Sequence, residues 1–251
     1  GMSPRLSALV VARNEEDRLV DCLGRLDFAD ERVVVLDRCT DGSMAIANQF
    51  ADVVLEGAWP IEGDRRNAGL EACTGDWILE IDADESVSEE LGQEIKEQIA
   101  KENSGYFLIP FLNYIGGRCV RYGWGASWGV SAAPRLSYKG AKRWGRQRIH
   151  PALELHGPKR WLSNPIKHQV DRDISDMIRR LDSYTAARAA DLRESGKIGS
   201  LPNNVRRFFS RFLKCYIGRK GYKEGGYGFL IALFAGLYPL VSHLKARLES
   251  D

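Results

Sequence analysis

The sequence predicts an α/β protein with a mainly parallel sheet, followed by a helical carboxyl-terminal extension. Short apolar runs alternate with amphipathic segments over the first hundred residues, and acid-rich loops follow three of those runs. From Asp173 onward, apolar residues recur at the spacing of helices. We therefore expect two domains, residues 1–172 and residues 173–251. With 251 residues, of which 44% are apolar, the chain can bury a core without disulfides.

The first predicted element is a strand at Leu6–Val11, a continuous apolar run of the kind that parallel sheets bury on both faces. After a polar turn, apolar residues follow at the i, i+3, i+4, i+7 spacing of an amphipathic helix, namely Leu19, Cys22, Leu23 and Leu26. This order repeats, which predicts right-handed βαβ units. The later strands are predicted at residues 33–36, 53–55 and 77–81, and the later helices at residues 44–50 and 65–72.

The pattern changes after residue 85. Ser88 can cap a further helix, since serine accepts a hydrogen bond from the first helical turn. The buried face of that helix is predicted to carry Leu91, Ile95 and Ile99. More strands are predicted at residues 106–111 and 132–138, and the glycine-rich segment between them is interpreted as a loop or ribbon that faces substrate.

The second domain is predicted to be helical. Pro202 suits the first turn of an arginine-rich helix. The helix before it is predicted to bury one face, made of Ile174, Ile178, Leu181, Thr185, Ala189 and Leu192.

Two later segments suggest contact with a membrane surface. Residues 206–223 combine basic and aromatic side chains with no acid, which suits a helix lying on anionic headgroups. Residues 228–241 are apolar almost all round, but they are too short and too interrupted by Pro239 to predict a membrane span. The alternative is a docking helix that caps the sheet while its lysines face water, and both can hold. A membrane surface is thus an expected partner of residues 206–245.

The net charge of +2 conceals an asymmetry along the chain. Residues 1–100 hold 23 acidic and 9 basic side chains, whereas residues 101–251 hold 11 acidic and 27 basic ones. The second part is therefore expected to face an anion such as a phosphorylated substrate or a membrane. Nucleic acid is not an expected partner, because it would leave the acidic loops unexplained and be repelled by them.

Cysteine usage and the amino terminus point to the cytoplasm. The five cysteines are an odd number without a close pair, so neither a disulfide framework nor a zinc site is expected. The first residues lead directly into an apolar strand, without the pattern of a signal peptide. The expected location is the cytoplasm, or the inner face of the plasma membrane if the basic segment docks there.

The most informative residues are Asp82 and Asp84, which follow the apolar run at residues 77–81. Parallel α/β sheets bind their ligands at the carboxyl ends of the strands. Two aspartates at such an end supply oxygen ligands for Mg²⁺ or Mn²⁺ and leave room for a diphosphate. Acid-bearing loops at residues 13–17 and 37–43 follow the first two strands and should reach the same edge. The alternatives are a solvated loop at Asp82 and Asp84 and a plain turn at Asp37.

Four ordered motifs carry a resemblance to a known family. They are residues 10–16, 37–43, 65–68 and 75–85, the last reading Gly-Asp-Trp-Ile-Leu-Glu-Ile-Asp-Ala-Asp-Glu. Together they resemble family 2 glycosyltransferases, in particular the group that contains lipopolysaccharide-core β-glucosyltransferases. The later segments 116–124, 134–136, 148–150 and 228–232 are similar to that group too, so the likeness covers nearly the whole chain.

The resemblance implies a GT-A fold, a nucleotide-diphosphate sugar donor, a divalent cation (Mg²⁺ or Mn²⁺) and inversion at the anomeric centre. It implies that Asp84 binds the metal and that Asp82 contacts the metal or the ribose. The expected donor is UDP-linked, and the residues implied in binding it are Ala12, Arg13, Asn14, Glu15, Asp37, Arg66 and Asp82. Arg148 lies in a basic stretch that could bind the phosphates of the nucleotide-sugar, and a solvated basic loop is the alternative.

The catalytic base is the point where this sequence departs from its apparent relatives. They commonly carry an acid directly after the histidine of the segment at 148–150, and here that position is Pro151. Three other residues are candidates for removing the acceptor proton: Glu154, His150 and Glu85. His150 could instead complete the metal shell, and Glu85 could simply cap the following helix.

Three functions remain open from the sequence. The favoured one is transfer of a sugar to an anionic, lipid-linked or lipopolysaccharide-core glycan. Transfer to a polyprenyl phosphate is a variant of it. A nucleotide-sugar-binding protein with reduced or lost transfer activity is the alternative that Pro151 suggests.

Overall fold

The computed structural model of the chain describes residues 2–125, 131–147 and 151–249. The chain forms two compact units, one of residues 1–111 and 131–168 and the other of residues 112–130 and 169–251. The sequence suggested a single boundary after residue 172. Residues 112–125 belong to the helical unit, where the Glu224 carboxylate accepts a hydrogen bond from the backbone N–H of Arg121 and forms an ion pair with Arg118.

The strands are distributed along most of the described chain. Two of them, β6 and β12, contribute residues to both units. The strands are β1 (Leu6–Ala12), β2 (Glu31–Asp37), β3 (Val53–Gly57), β4 (Trp77–Asp82), β5 (Glu85–Ser86), β6 (Tyr106–Ile115), β7 (Arg118–Val120), β8 (Ala132–Tyr138), β9 (Lys142–Trp144), β10 (Leu153–Leu155), β11 (Lys159–Trp161) and β12 (Ile166–Asp171).

The helices of the first unit separate its first strands, and those of the second unit follow one another. They are α1 (Glu16–Gly24), α2 (Ser43–Phe50), α3 (Glu62–Ala72) and α4 (Glu89–Ile99), then α5 (Ile174–Ser195), α6 (Leu201–Leu213) and α7 (Gly225–Leu248). A π-helical turn at Lys214–Gly218 and a 3-10 turn at Gly221–Glu224 join α6 to α7.

The sheet of the first unit has the order β3-β2-β1-β4-β8-β6. The first four of these strands are parallel, as the alternation of strands and helices predicted, and β8 is antiparallel to both β4 and β6. The strand order reverses direction between β1 and β4, where Val11 pairs with Asp82. Ligands bind at such a switch point in α/β sheets, so the topology places the predicted aspartate pair where a substrate site is expected.

The predicted core of the first unit is confirmed. Leu19, Cys22 and Leu23 are buried on α1. Ser88 caps α4 by accepting a hydrogen bond from the backbone N–H of Leu91 at 3.1 Å. The inner face of α4 is buried as expected, through Leu91, Ile95 and Ile99.

The predicted buried face of α5 is wrong at its beginning. Ile174 and Ile178 are 46% and 53% exposed, and Met177 is buried in their place. The core of the helical unit packs Met177 and Leu181 against residues of α7. Residues four apart share one helix face, so Thr185 and Ala189 lie on the same face of α5 as Met177 and Leu181. The two isoleucines lie outside this face.

The apolar residues near the carboxyl end form a packed helix of the second unit. In the described part of the chain, the helical stretch Gly221–Leu248 is long and apolar enough to cross a membrane by length and composition. Half of its apolar window is buried inside the protein, and Ile231, Ala232 and Ala235 belong to the core of the unit. Membrane contact through this helix therefore stays a prediction.

Close packing fixes α3 against β9. The side-chain amide of Asn67 donates to the Trp144 carbonyl at 2.8 Å and accepts from the Trp144 N–H at 2.9 Å. A Cβ placed on Gly63 would lie 1.9 Å from the carbonyl oxygen of Gly145. Only glycine lets the two backbones approach in this way.

We expect Gly63→Ala to lower the free energy of unfolding by about 1–3 kcal/mol, because backbone atoms must move to admit the methyl group. Gly24→Ala is the matched control, since nothing lies within 4 Å of the added Cβ and alanine favours helix by up to about 1 kcal/mol. Urea unfolding followed by circular dichroism measures both. Equal destabilisation by the two substitutions would contradict the close contact.

Candidate active site

Asp82 is held in place by two arginines at the end of β4. Its carboxylate accepts hydrogen bonds from Arg66 Nη1 at 3.5 Å and from Arg135 Nη2 at 3.3 Å. Burial acts to raise the pKa of the Asp82 carboxyl, but Arg135, Arg66 and His168 outweigh it and lower the pKa to about 2. Asp82 is therefore an oriented carboxylate at neutral pH.

Asp84 lies in the turn after β4 and meets a histidine from β12. His168 Nε2 is 3.2 Å from Asp84 Oδ2, and Arg18 Nη1 is 3.8 Å from the same oxygen. The register of β12 against β5 pairs His168 with Glu85. One potential ligand atom each from Asp84, Glu85 and His168 lies within 4.8 Å of the others. Among the described residues, these three side chains form a cluster that could hold a metal ion.

Glu85 is the buried partner of Arg135. Its two oxygens accept from Arg135 Nη1 at 2.6 Å and from Arg135 Nη2 at 3.0 Å, and one of them also accepts from the Asp82 N–H at 2.7 Å. Burial raises the pKa of the Glu85 carboxyl, although Arg135 opposes the shift. Burial lowers the pKa of Arg135, but Glu85 and Asp82 more than compensate, so the guanidinium stays charged.

A second buried ion pair lies beside this cluster. Glu80, on β4, pairs with the Lys142 ammonium, which also donates to the Pro134 carbonyl at 2.9 Å. Burial lowers the pKa of Lys142, and Glu80 opposes that shift. The Trp144 ring has Lys142 Nζ 5.1 Å and the Arg66 guanidinium 5.3 Å from its centroid. Charge and ring together fix Arg66 beside Asp82.

The loops after β1 and β2 are tied to each other by hydrogen bonds. Asn14 Oδ1 accepts from the Thr40 N–H at 2.7 Å, and the Ser43 hydroxyl accepts from the Glu15 N–H at 3.1 Å. Asn14 and Arg38 have φ values of 53° and 51°, in the left-handed region that residues other than glycine seldom adopt. Such strained residues cluster at ligand sites, which agrees with the predicted role of these loops.

Asp37 is buried at the end of β2, and its carboxylate is bound by residues of the neighbouring loops. Its carboxylate accepts from the Trp59 N–H at 3.0 Å, from Arg65 Nη1 at 3.3 Å and from Arg38. Burial acts to raise the pKa of Asp37, but hydrogen bonds from Arg38 and Trp59 outweigh it and lower the pKa. Asp37 therefore orders the loop after β3 as well as its own.

The remaining predicted residues are spread around this edge. Ala12 ends β1 and is buried, while Arg13 is exposed. Burial raises the pKa of Glu15; Arg18 opposes the shift, and Asp84 and Asp82 add to it. Glu154 lies exposed on β10, in register with Arg143 of β9.

Two predicted residues, Arg148 and His150, lie outside the described residues. In the described part, the histidine beside Asp84 is His168, which the sequence analysis did not name. Arg135 was also missed as a site residue, although it lies in the Pro-Arg-Leu motif that supported the resemblance. The sequence signal for His168 is weak, because it is the middle one of three consecutive polar residues in a short strand.

Comparison with known proteins identifies the family. The model for "Glycosyl transferase family 2" matches residues 7–147. The chain belongs to glycosyltransferase family 2. The enzyme class predicted from the sequence is confirmed.

Three curated relatives agree with this assignment. This family 2 chain is 33% identical over 105 residues to an uncharacterized glycosyltransferase of Rickettsia felis, a match that takes in 41% of the chain and only 37% of that protein. It is 24% identical to an uncharacterized glycosyltransferase of Rickettsia typhi, with 98% of the chain and 89% of the relative covered. It is also 24% identical to the lipopolysaccharide core biosynthesis glycosyltransferase LpsC of Rhizobium meliloti, covering 96% of the chain and 91% of LpsC. The expected likeness to lipopolysaccharide-core enzymes is thus confirmed.

Solved structures confirm the GT-A fold of this glycosyltransferase. S. aureus TarS 1-349 in complex with UDP superposes with a TM-score of 0.51 at 17% identity, over 88% of this chain and 75% of that one. The complex of the same protein with UDP-GlcNAc gives a TM-score of 0.51 at 15% identity, over 94% and 81% of the two chains.

We expect Arg135→Met to lower the free energy of unfolding by about 3–5 kcal/mol, because it leaves the buried Glu85 carboxylate without its cation. Adding Glu85→Gln should recover part of that loss, giving a coupling energy of about 1–3 kcal/mol in a double-mutant cycle. Arg25→Met is the control, because Arg25 and its partner Asp21 are 53% and 67% exposed, and it should change stability by less than about 0.5 kcal/mol. Strictly additive losses from Arg135→Met and Glu85→Gln would show that the two side chains are not coupled.

Proposed function

We propose that this glycosyltransferase moves a sugar from a UDP-linked donor to an anionic glycan acceptor, with inversion and with the help of a divalent cation. The observation that carries the proposal is the meeting of Asp84 with His168 beside the fixed carboxylate of Asp82, at the strand switch point. The end of β4 and strand β12, which are distant in sequence, bring carboxylate oxygens and an imidazole to one place, where α/β sheets bind ligands.

The residues at this place fit a divalent cation. Asp84 and His168 offer the carboxylate oxygen and imidazole nitrogen that Mn²⁺ accepts, and Asp82 is the neighbouring carboxylate. Glu85 is excluded from this role in the proposal, because its oxygens are engaged by Arg135. His168 thereby takes the metal-binding role that the sequence had offered to His150. A cation bound there supplies positive charge to the diphosphate leaving group.

The chain's own residues hold the rest of the donor. The wall of the nucleotide pocket would be formed by the loop after β1, with Ala12–Glu15, and the loop that follows Asp37 at the end of β2. Hydrogen bonds between these two loops already fix their backbone. Arg66, fixed against Trp144 and Asp82, would present positive charge to the base or the diphosphate. Complexes of TarS with UDP and UDP-GlcNAc support UDP as the donor nucleotide.

Acceptor activation is assigned to Glu154 or His150. In a one-step inverting transfer, a base takes the acceptor hydroxyl proton as the sugar is attacked from the opposite face. Glu85, the third candidate, is 3% exposed and bound twice to Arg135, so it has no oxygen free for this step. We propose that Glu85 positions Arg135 and Asp82. Glu154 is exposed and carries no such partner among the described residues.

The acceptor is proposed to be a lipopolysaccharide-core or other lipid-linked glycan. LpsC, named for lipopolysaccharide core biosynthesis, aligns with nearly the whole chain. The excess of basic residues after residue 100 suits the phosphates of such acceptors. A polyprenyl phosphate has the same charge and is the alternative acceptor. Pro151, in place of an acid, favours a second function, which is donor binding with reduced transfer.

We expect Asp84→Asn and His168→Ala each to weaken Mn²⁺-dependent binding of UDP at least about tenfold, or ~1.4 kcal/mol, since each removes a proposed ligand. Titration calorimetry with and without EDTA measures this. Asp27→Asn is the matched control, because Asp27 is exposed on the loop after α1. UDP affinity that is equal with Mn²⁺ and with EDTA in the parent protein would refute the metal site and leave the family assignment intact.

We expect Glu154→Gln to reduce sugar transfer to lipid acceptors at least ~100-fold while Mn²⁺-dependent UDP affinity stays unchanged, because a general base acts on the chemical step. The assay follows radiolabelled sugar from UDP donors into a glycolipid extract. Glu97→Gln, an exposed acid on α4, is the control. If Glu154→Gln keeps full turnover and His150→Ala loses it, the base is His150. If the parent protein binds the UDP donor but neither transfers nor hydrolyses the sugar, the second function is supported.

A further inference from the structure

The outer face of α6 carries a ridge of bulky apolar side chains that the protein leaves exposed. The ridge continues into the π-helical turn with a spacing of four residues, and its members are 38–59% exposed. We call this set the α6 ridge; it consists of Leu201, Val205, Phe209, Leu213 and Ile217. Residues four apart lie next to each other on a helix, so the side chains form one continuous surface.

The ridge is distinct from the face by which α6 packs on the protein. That inner face carries Phe208, whose backbone would lie 2.6 Å from a Cβ on Gly236 of α7, and Phe212, which packs on the core of the unit. Cys215 continues it and is buried. Because α6 already has an apolar inner face, the ridge is not needed for its docking on α7.

Positive charge surrounds the ridge. Between Ser195 and Lys223 the chain contains no acid, and it contains eight basic residues: Lys197, Arg206, Arg207, Arg211, Lys214, Arg219, Lys220 and Lys223. Within the described ranges, none of those from Arg206 to Lys223 forms an ion pair with a carboxylate. Burial lowers the pKa of Arg207, and Arg211, Arg188 and Arg206 lower it further. The cations thus repel one another and lack a counter-charge.

Two aromatic rings beyond the end of α6 are exposed as well. Tyr222 and Phe229 are 51% and 45% exposed, and their ring centroids lie 6.4 Å and 6.2 Å from that of Tyr216. Aromatic side chains with a polar end are enriched where apolar and aqueous regions meet.

We propose that the α6 ridge and its basic flank dock on the surface of a bilayer that contains anionic phospholipids. Apolar side chains on one face of a helix, with cations beside them and no acid, are the features that hold an interfacial helix in a headgroup layer. A second copy of this chain would set the cations of two ridges against each other. Nucleic acid would match the charge but would leave five apolar side chains without a partner.

The contact lies on the surface of the protein and does not require a spanning helix. The apolar side chains enter the headgroup region while α7 stays in the core of its unit, where Ile231 and Ala232 are buried. The inference holds whichever glycan is the acceptor, and its test measures binding without transfer. Its failure is therefore distinguishable from a failure of the proposed function.

The test is cosedimentation of the full chain with vesicles of phosphatidylcholine alone and of phosphatidylcholine with 30% phosphatidylglycerol, about 30% being enough to give a negative surface potential. We expect binding to the anionic vesicles that falls as salt is raised, and weak binding to the neutral ones. The variant Phe209→Ser/Leu213→Ser should bind at least about tenfold more weakly. Circular dichroism and Mn²⁺-dependent UDP binding confirm that the variant is folded.

The matched control is Ile174→Ser/Ile178→Ser. These two isoleucines are exposed to a similar degree in the same unit, but Asp173, Asp176 and Asp182 lie near them in the sequence. The control should bind anionic vesicles like the parent protein. Three results would each overturn the proposal. They are an equal loss of vesicle binding in both variants, equal binding of the parent protein to both vesicle types, and a parent dimer that the Phe209→Ser/Leu213→Ser variant cannot form.

Discussion

The buried guanidinium of Arg135 fixes the arrangement of the active site. It lies between the carboxylates of Glu85 and Asp82 and also donates to the Glu80 carbonyl at 3.1 Å. Without this cation, two acids would be desolvated next to each other, and one would have to take up a proton. With it, the carboxyl groups of Asp82 and Glu85 are held in fixed positions at the end of β4. The turn that carries Asp84 is therefore anchored on both sides.

This anchoring separates the roles of neighbouring acids that the sequence presents as a run. Glu85 is committed to Arg135, and Asp82 is oriented by Arg66 and Arg135. Asp84 is not bound by either of these arginines and faces His168. Buried ion pairs of this kind add little net stability, but they hold charged side chains in one geometry. A site that must bind a cation and a diphosphate depends on such fixed charges.

Much of the site could be predicted from local sequence. Asp82 and Asp84 follow a recognisable buried strand, and the loops at Asn14 and Asp37 follow two others, so parallel pairing alone brings them to one edge. His168 could not be predicted in this way, because it lies 84 residues from Asp84 and reaches it through the pairing of β12 with β5. The burial of Met177 in place of Ile178 had the same origin, since the apolar pattern of α5 allowed two faces and the packing on α7 selected one.

The sequence by itself determined the family, the alternation of strands and helices in the first unit, the acidic edge of its sheet and the basic, acid-free segment at 206–223. Each of these depends on residues close together in the chain, where spacing and charge are readable directly. Only the tertiary structure decided that Arg135 neutralises Glu85, that His168 meets Asp84, and that the apolar residues of α6 divide into a packed face and an exposed ridge. Those outcomes depend on strand register and helix packing, in which groups far apart in the chain compete for the same contacts.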